Sequence, residues 1–295
     1  MYFINRYRKS MSFPKRMLED LLYRISWIIN YYKNGRRVKT ALFYPNFPSK
    51  RSVIYKIFKR LNYNISNNPV KHFDIVIHWN TTTYRPPNAL ISELSLKRKV
   101  INSESLDISK SKVDKIFSQV SGYSSLVQSD AYRGLMVKKS EINASHDGII
   151  IQGPVSSEKG FVYQKLINNL STEGLVEDMR IPVVNENIPL IYVKYKTLST
   201  RFGHFKRFHH KIRKVRVCKP CELLSDEETL ILLQFCKSSG LDYGELDVLR
   251  DKDSNQIYAI DLNNTPTGPP FMDKNQVEYA MNILTECFRK EFLDD

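Results

Sequence analysis

Residues 241–272, LDYGELDVLRDKDSNQIYAIDLNNTPTGPPFM, constrain the fold more than any other stretch of this chain. Residues 246–249 and 257–263 read as strands, and the polar run at 251–255 reads as the turn between them. Such a hairpin brings Asp247, Asp261 and Asn263 towards one end. Asp261 and Asn263 are two residues apart, so a strand presents them on the same face. Carboxylate and amide oxygens gathered in this way suit a hard divalent ion such as Mg2+, usually completed by nucleotide phosphate oxygens. Taken alone, the segment also fits a surface hairpin with polar ends. The choice turns on whether nucleotide-binding parts precede it.

A chain of 295 residues can hold two or three lobes, each with its own core. The net charge of +14 favours an anionic partner: a nucleotide, an acidic glycan, a nucleic acid or an anionic membrane surface. Four irregularly spaced cysteines point to a reducing interior. The first ten residues lack the pattern of a secretory signal, so a cytoplasmic location is expected.

Residues 1–37 are basic and partly amphipathic. Met17, Leu18, Leu21, Leu22, Ile25, Ile28 and Ile29 recur at helical spacing, and Gly35 is placed to end the helix. The expected use of this apolar face is packing on the body of the protein or on a second subunit, as in a homodimer. The other reading is a peripheral membrane contact, with Tyr23, Trp27, Tyr31 and Tyr32 near the headgroups.

Residues 38–100 read as a small α/β lobe. A strand over 38–44 and a helix over 49–61 precede a near-continuous apolar strand over 73–79, the pattern of a strand buried on both faces of a parallel sheet. It ends at His78, and ligands gather beyond the carboxyl ends of such strands, so residues 78–83 are a candidate acceptor site. His78 alone fits a packed, hydrogen-bonded histidine equally well.

From residue 101 the pattern changes. Ile108, Val113, Ile116, Phe117 and Val120 predict a short helix closed by Gly122. A strand over 134–140 carries Lys138 and Lys139 on opposite faces, a polar loop follows at 143–148, and a strand returns over 148–151. Residues 161–167 predict another strand. Residues 179–196 fit two antiparallel strands joined at 185–187, with Lys194 and Lys196 sharing a face. Residues 201–216 are the most basic stretch, with Phe202, Phe205 and Phe208 interleaved. They suit a solvated loop or face, a loop meeting an anionic acceptor, or a single-stranded nucleic acid. Cys218 and Cys221 have zinc-like spacing behind His204, His209 and His210, but no second such pair exists. Ser225 to Glu228 is a capping box for a helix that ends at Gly240, and a last helix is predicted over 275–292.

This succession resembles the ATP-grasp superfamily. Its metal-binding strand pair carries an Asp on the first strand and an acid-x-Asn on the second, followed by a Pro, as in Asp261-Leu262-Asn263-Asn264-Thr265-Pro266. Many members have Glu where this chain has Asp261. The resemblance covers residues 40–290. It implies a mixed α/β and α+β architecture: a small α/β lobe (38–100) after the basic helical segment (1–37), then two α+β lobes (101–295) with the nucleotide between them. It implies Mg2+ on Asp247, Asp261 and Asn263, and phosphate contacts from Lys139 and from Lys112, with Lys110 and Lys115 as alternatives near Asn102 and the Asp114-Lys115 pair. It implies an adenine hinge at Gln164, Lys165, Leu166 and Ile167, and cations for the terminal phosphates from Arg180, Lys194 and Lys196. The family's usual reaction is ATP-dependent: a carboxylate becomes an acylphosphate that an amine attacks. A carboxylate–amine ligase is therefore the first expectation, with an anionic small molecule or a cell-surface glycan precursor as acceptor. A small-molecule or sugar kinase is the alternative, and a non-catalytic nucleic-acid-binding protein the less favoured third.

Overall fold

The structure, a computed structural model, describes residues 13–33, 35–202, 212–269 and 272–294. Strands β1 (Thr40–Pro45), β2 (Asn64–Ser66), β3 (Ile75–Trp79) and β4 (Val100–Ile101) form a parallel sheet in the order β2-β1-β3-β4. Alternate residues of β1 and β3 go to opposite sides. Ala41, Phe43, Ile75 and Ile77 meet helices α2 (Val53–Arg60) and α6 (Lys274–Phe292), while Leu42 and Val76 meet α3 (Ala89–Ser95). Both faces are covered, which is why residues 73–79 read as an apolar run rather than an alternation.

The rest of the chain builds two antiparallel sheets. Strands β5 (Leu135–Ser140), β6 (Ile149–Gln152) and β7 (Phe161–Lys165) form one, in the order β6-β5-β7. Strands β8 (Leu175–Val184), β9 (Ile191–Thr197), β10 (Ile212–Cys218), β11 (Tyr243–Arg250) and β12 (Ile257–Asn263) form the other, in the order β10-β9-β8-β11-β12. The larger sheet has two unlike faces. Its back, with Met179, Ile181, Ile191, Val193, Leu246, Val248 and Leu262, packs on Phe117 of α4 (Lys110–Ser121) and on Leu232 and Phe235 of α5 (Asp226–Ser238). Its front carries Asp178, Arg180, Lys194, Lys196, Glu245, Asp247, Asp261 and Asn263, because the ladder register and strand alternation bring them to the same face.

Two sequence expectations are corrected. Part of the basic stretch 201–216 is a solvated strand face rather than a loop: residues 212–218 are an edge strand, β10. It buries Val215 and Cys218 and exposes Arg213, Lys214 and Arg216. Charge on the outward positions of an edge strand discourages pairing with another sheet. His204, Phe205, Phe208, His209 and His210 lie outside the described residues. Cys218 and Cys221 are free thiols.

The second correction concerns α1 (Phe13–Lys33). It ends at Gly35 as expected: Gly35 has φ +69, Gly35 N donates to Tyr32 O (3.0 Å) and Arg36 N to Tyr31 O (2.9 Å). Its apolar face, however, does not pack on the body of the protein. Met17, Leu18, Leu21, Leu22, Ile25, Ile28 and Ile29 are all exposed. The helix meets the body through Asn30 instead, whose Nδ2 donates to Arg60 O at 2.8 Å.

Candidate nucleotide and metal site

The front of the large sheet owes its chemistry to one irregularity. Arg250, Leu249 and Val248 pair with Ile257, Tyr258 and Ala259, but Asp247 pairs with Asp261, leaving Ile260 as an extra residue. This β-bulge re-aims the end of β12. Without it Asp247 would stand opposite Ile260, and Asp261 would turn to the apolar back. With it, Asp247 faces Asp261 and Glu245 faces Asn263, so four oxygen-bearing side chains share one patch.

Cations from β8 and β9 close on this patch. Arg180 makes a bidentate pair with Asp247 (Nε–Oδ1 3.0 Å, Nη2–Oδ2 2.9 Å), and Lys194 Nζ lies 3.0 Å from the same Oδ1. Burial opposes ionisation of Asp247, but Arg180 and Lys194 outweigh it and hold the carboxyl well below the usual carboxylate range. Asp261 goes the other way. Burial first, then the Asp247 charge, push it up to about 6 against the pull of Lys110, Lys139 and Arg180. Glu245 is also raised, chiefly by burial, and its Oε2 has no hydrogen-bond partner among the described residues. Lys196 pairs with Asp178 at 2.5 Å on the same face.

The small sheet lays a lysine over β12. Lys139 Nζ reaches Ile260 O at 3.4 Å, beside Asp261. Burial lowers its pKa to about 8, although Asp261 pulls the other way. Lys138 points elsewhere, pairing with Glu158 and lying 4.4 Å from the centroid of the Phe161 ring. Of the three helix lysines, the buried Lys110 comes to the site: its Nζ donates to Ile142 O (2.8 Å), and its charge is felt by both Asp261 and Lys139. Lys112 and Lys115 are exposed, and neither is brought to the patch. The polar loop at 143–148 spans the gap, with Asn143 N donating to Thr83 Oγ1 (2.9 Å) and Asn143 Nδ2 to Leu262 O (3.1 Å).

Other residues singled out by the sequence are joints. Asn102 accepts the Asp242 and Tyr243 amides and donates to Tyr243 O. Asp114 accepts from the backbone of Ser125 and Leu126, fixing the loop after α4. Along the hinge, Gln164 Nε2 donates to Ser125 Oγ (2.6 Å), Leu166 N donates to Leu135 O (3.1 Å), and Ile167 joins the core behind the large sheet. Lys165 contacts the Tyr258 hydroxyl, with its ammonium 4.1 Å from the centroid of that ring.

Beyond the carboxyl end of β3 lies a second buried polar group. His78 is buried, and burial followed by the Arg85 charge takes its pKa down to about 4, so it is neutral at physiological pH. Arg85 is buried too, donating to His78 O and Asn80 O (both 3.1 Å), with Nη2 lacking a partner among the described residues. Sequence reasoning reached His78 but missed Arg85 and Glu245. Glu245 had a signal, standing two residues before Asp247 on the same strand. Arg85 had none.

The patch fits a hard cation. Its donors are oxygens alone, and Asp261 is a carboxylate whose ionisation is suppressed by burial and by the Asp247 charge, which an added cation would offset. Among the described residues no three His, Cys, Asp or Glu converge as a complete cage. Asp261 and Asn263 would therefore share an ion with water and phosphate oxygens, the usual manner of Mg2+.

No family model matches the chain, and no curated relative matches it either. Solved structures do. A D-alanine–D-alanine ligase from Bacillus anthracis is 13% identical with TM-score 0.53, covering 86% of this chain and 97% of that one. The VanG D-Ala:D-Ser ligase from Enterococcus faecalis is 10% identical with TM-score 0.56, covering 87% and 100%. The Bacillus anthracis ligase complexed with ATP gives 13%, 0.52, 86% and 96%. The chain also spans 66% of the ATP-grasp ligase PsnB at TM-score 0.45. A parallel lobe, a lysine hairpin and a large antiparallel sheet, in this order, give the chain the ATP-grasp fold.

Proposed function

We propose that this chain is an ATP- and Mg2+-dependent ligase that activates a carboxylate for attack by an amine. The observation that carries the reading is the convergence of Asp247, Asp261, Asn263, Lys139 and Lys110 on one face, from three parts of the chain. Asp261 and Asn263 hold the metal, and Asp247, tied to Arg180 and Lys194, borders it. A Mg2+ ion held there would supply charge neutralisation at the nucleotide phosphates. Lys139 and Lys110 neutralise the nucleotide phosphates, with Lys110 replacing the exposed Lys112. Arg180, Lys194 and Lys196 face the terminal phosphates, and Gln164 to Ile167 border the adenine.

The carboxylate oxygen attacks the terminal phosphorus as the bond to ADP breaks. The amine nitrogen then attacks the acylphosphate carbonyl, phosphate leaves, and the amine loses a proton. The acceptor enters from the side of His78 and Thr83. Residues 38–100, with α6 packed on their sheet, serve as the acceptor lobe and the rest of 101–295 as the nucleotide lobes, and the basic chain suits an anionic acceptor such as a glycan precursor.

Product analysis tests the reading. Incubation with ATP, Mg2+ and candidate acids and amines should give one ADP and one phosphate per amide. A stable phosphorylated acceptor would instead make the chain a kinase. In Asp261→Asn both activities should vanish; turnover that persisted in that variant would overturn the assignment of the site.

A further inference from the structure

We propose that α1 is an interfacial anchor that lies in the headgroup layer of an anionic membrane. At 100° per residue, Met17, Leu18, Leu21, Leu22, Ile25, Ile28, Ile29 and Tyr32 occupy one arc of roughly 140°. All eight are 45–60% exposed. Asn30, on the opposite side, is the residue that docks on Arg60. A helix meant to pack on its own protein would be turned half a revolution. This one presents its polar side inward and its apolar side outward. Scattered exposed apolar residues are ordinary, whereas eight in one stripe mark a surface that something covers.

Charge and shape identify what covers it. Residues 1–37 contain nine Lys and Arg against Glu19 and Asp20, which is +7 of the chain's +14. Arg24, Lys33, Arg36 and Arg37 are exposed along and just beyond the helix. A second copy would set one such segment against another of the same sign. The stripe is also wider than the two-row seam that a pair of helices buries. An anionic lipid surface accepts a wide apolar arc and neutralises flanking cations at once. Tyr32, in the middle of the stripe and 60% exposed, supplies an aromatic ring of the kind interfaces favour. No helix among the described residues is long and apolar enough to cross a membrane, so the helix lies in the surface plane.

The inference does not depend on the nucleotide site, and its test does not use activity. The full chain would be floated with vesicles of phosphatidylcholine alone and of phosphatidylcholine with phosphatidylglycerol, at low and high salt. Binding is expected to the anionic vesicles only, and to weaken as salt rises. In Tyr32→Trp, which puts the reporter in the middle of the stripe, tryptophan emission should shift to the blue on binding, whereas Trp27, on the Asn30 side, and the buried Trp79 should not respond. The triple variant Leu21→Ser, Ile25→Ser, Ile28→Ser should bind at least about tenfold more weakly, with an unchanged melting temperature because these side chains are exposed. Equal recovery with neutral and anionic vesicles would overturn the proposal. So would a stable dimer in sedimentation analysis that forms without lipid and dissociates in the triple variant.

Discussion

Asp247 and Asp261 stand directly opposite each other on β11 and β12, yet their acidities are displaced in opposite directions. The reason is the partner set. Asp247 holds Arg180 and Lys194 in hydrogen-bonded pairs, whereas Asp261 has only the more distant pull of Lys110, Lys139 and Arg180 against burial and the Asp247 charge. One carboxylate is committed to the protein; the other lacks a hydrogen-bonded cation, as the proposed metal site requires.

A pH dependence follows from Asp261. Its folded pKa of about 6 lies above its unfolded value of about 4, so its contribution to stability is complete below pH 4 and lost as pH rises through 6. The displacement corresponds to about 3 kcal/mol. Asp261→Asn should therefore stabilise the nucleotide-free protein at pH 8 and flatten the fall between pH 4 and 6, while Mg·ATP binding is lost. Urea unfolding at pH 4.5, 6.5 and 8 measures the first effect. In the wild type, Mg2+ affinity should rise between pH 5 and 7 as the ligand deprotonates, which titration calorimetry would show.

Asp247 makes the opposite case. Asp247→Asn takes from the buried Arg180 and Lys194 their hydrogen-bonded counter-charge and leaves the weaker pull of Glu245, Asp261 and Asp178, and breaking a buried pair costs about 3–5 kcal/mol. Arg180→Met strands Asp247 and Glu245 in turn. The double variant should be less destabilised than the two singles combined, giving a coupling of about 1–3 kcal/mol. Lys194→Met should cost less than Arg180→Met, because the bidentate pair survives it. Equilibrium unfolding of the four variants gives these values, and additivity of the two single changes would contradict the network.

The three lysines at the start of α4 give a third prediction. Lys110→Met should weaken ATP binding about tenfold or more, the worth of one charge-assisted phosphate contact. Lys112→Met and Lys115→Met should bind within about twofold of wild type, as befits exposed groups. Lys139→Met should resemble Lys110→Met. With its pKa lowered to about 8, Lys139 should also be the lysine most readily acylated at pH 8, and ATP should protect it. Peptide mapping after limited acylation reads this out.

How much was legible from the chain follows the same physics. The β3 strand announced itself because a strand covered on both faces has no polar positions. The β11–β12 hairpin did so through its two runs and polar turn. The lysine could not be chosen, since sequence spacing does not say how a helix docks: α4 tucks its first turn under residues 141–142, with Lys110 N bonding Glu141 O, and so buries Lys110. The bulge at Ile260 was equally hidden, because one residue too many leaves no mark in a short apolar run. The apolar stripe of α1 was read correctly as a stripe, but its direction depends on Asn30 and Arg60, which no periodicity reports. Arg85 is buried by its surroundings, and a lone arginine before two prolines carries no sign of that.

Gly244 ties the fold to the site. It sits in β11 between Tyr243 and Glu245, and a Cβ there would lie 2.6 Å from Asn263 O and 2.8 Å from Leu241 Cδ1. Neither neighbour can yield cheaply, since one is the backbone of the strand that carries Asp261 and Asn263 and the other lies in the core. Gly244→Ala should cost about 1–3 kcal/mol by overpacking and displace β12 from β11, so that Mg·ATP affinity falls as well. Gly174→Ala is the control. Its φ of +72 makes alanine strained, but nothing lies within 4 Å, and the turn it closes, with Gly174 N donating to Ser171 O (3.0 Å), carries none of the site residues. It should lose a comparable amount of stability, about 1 kcal/mol, with nucleotide binding intact. Loss of binding in both variants would mean that the effect at Gly244 is one of general destabilisation, and loss in Gly244→Ala alone would tie the close approach of β11 and β12 to the metal site.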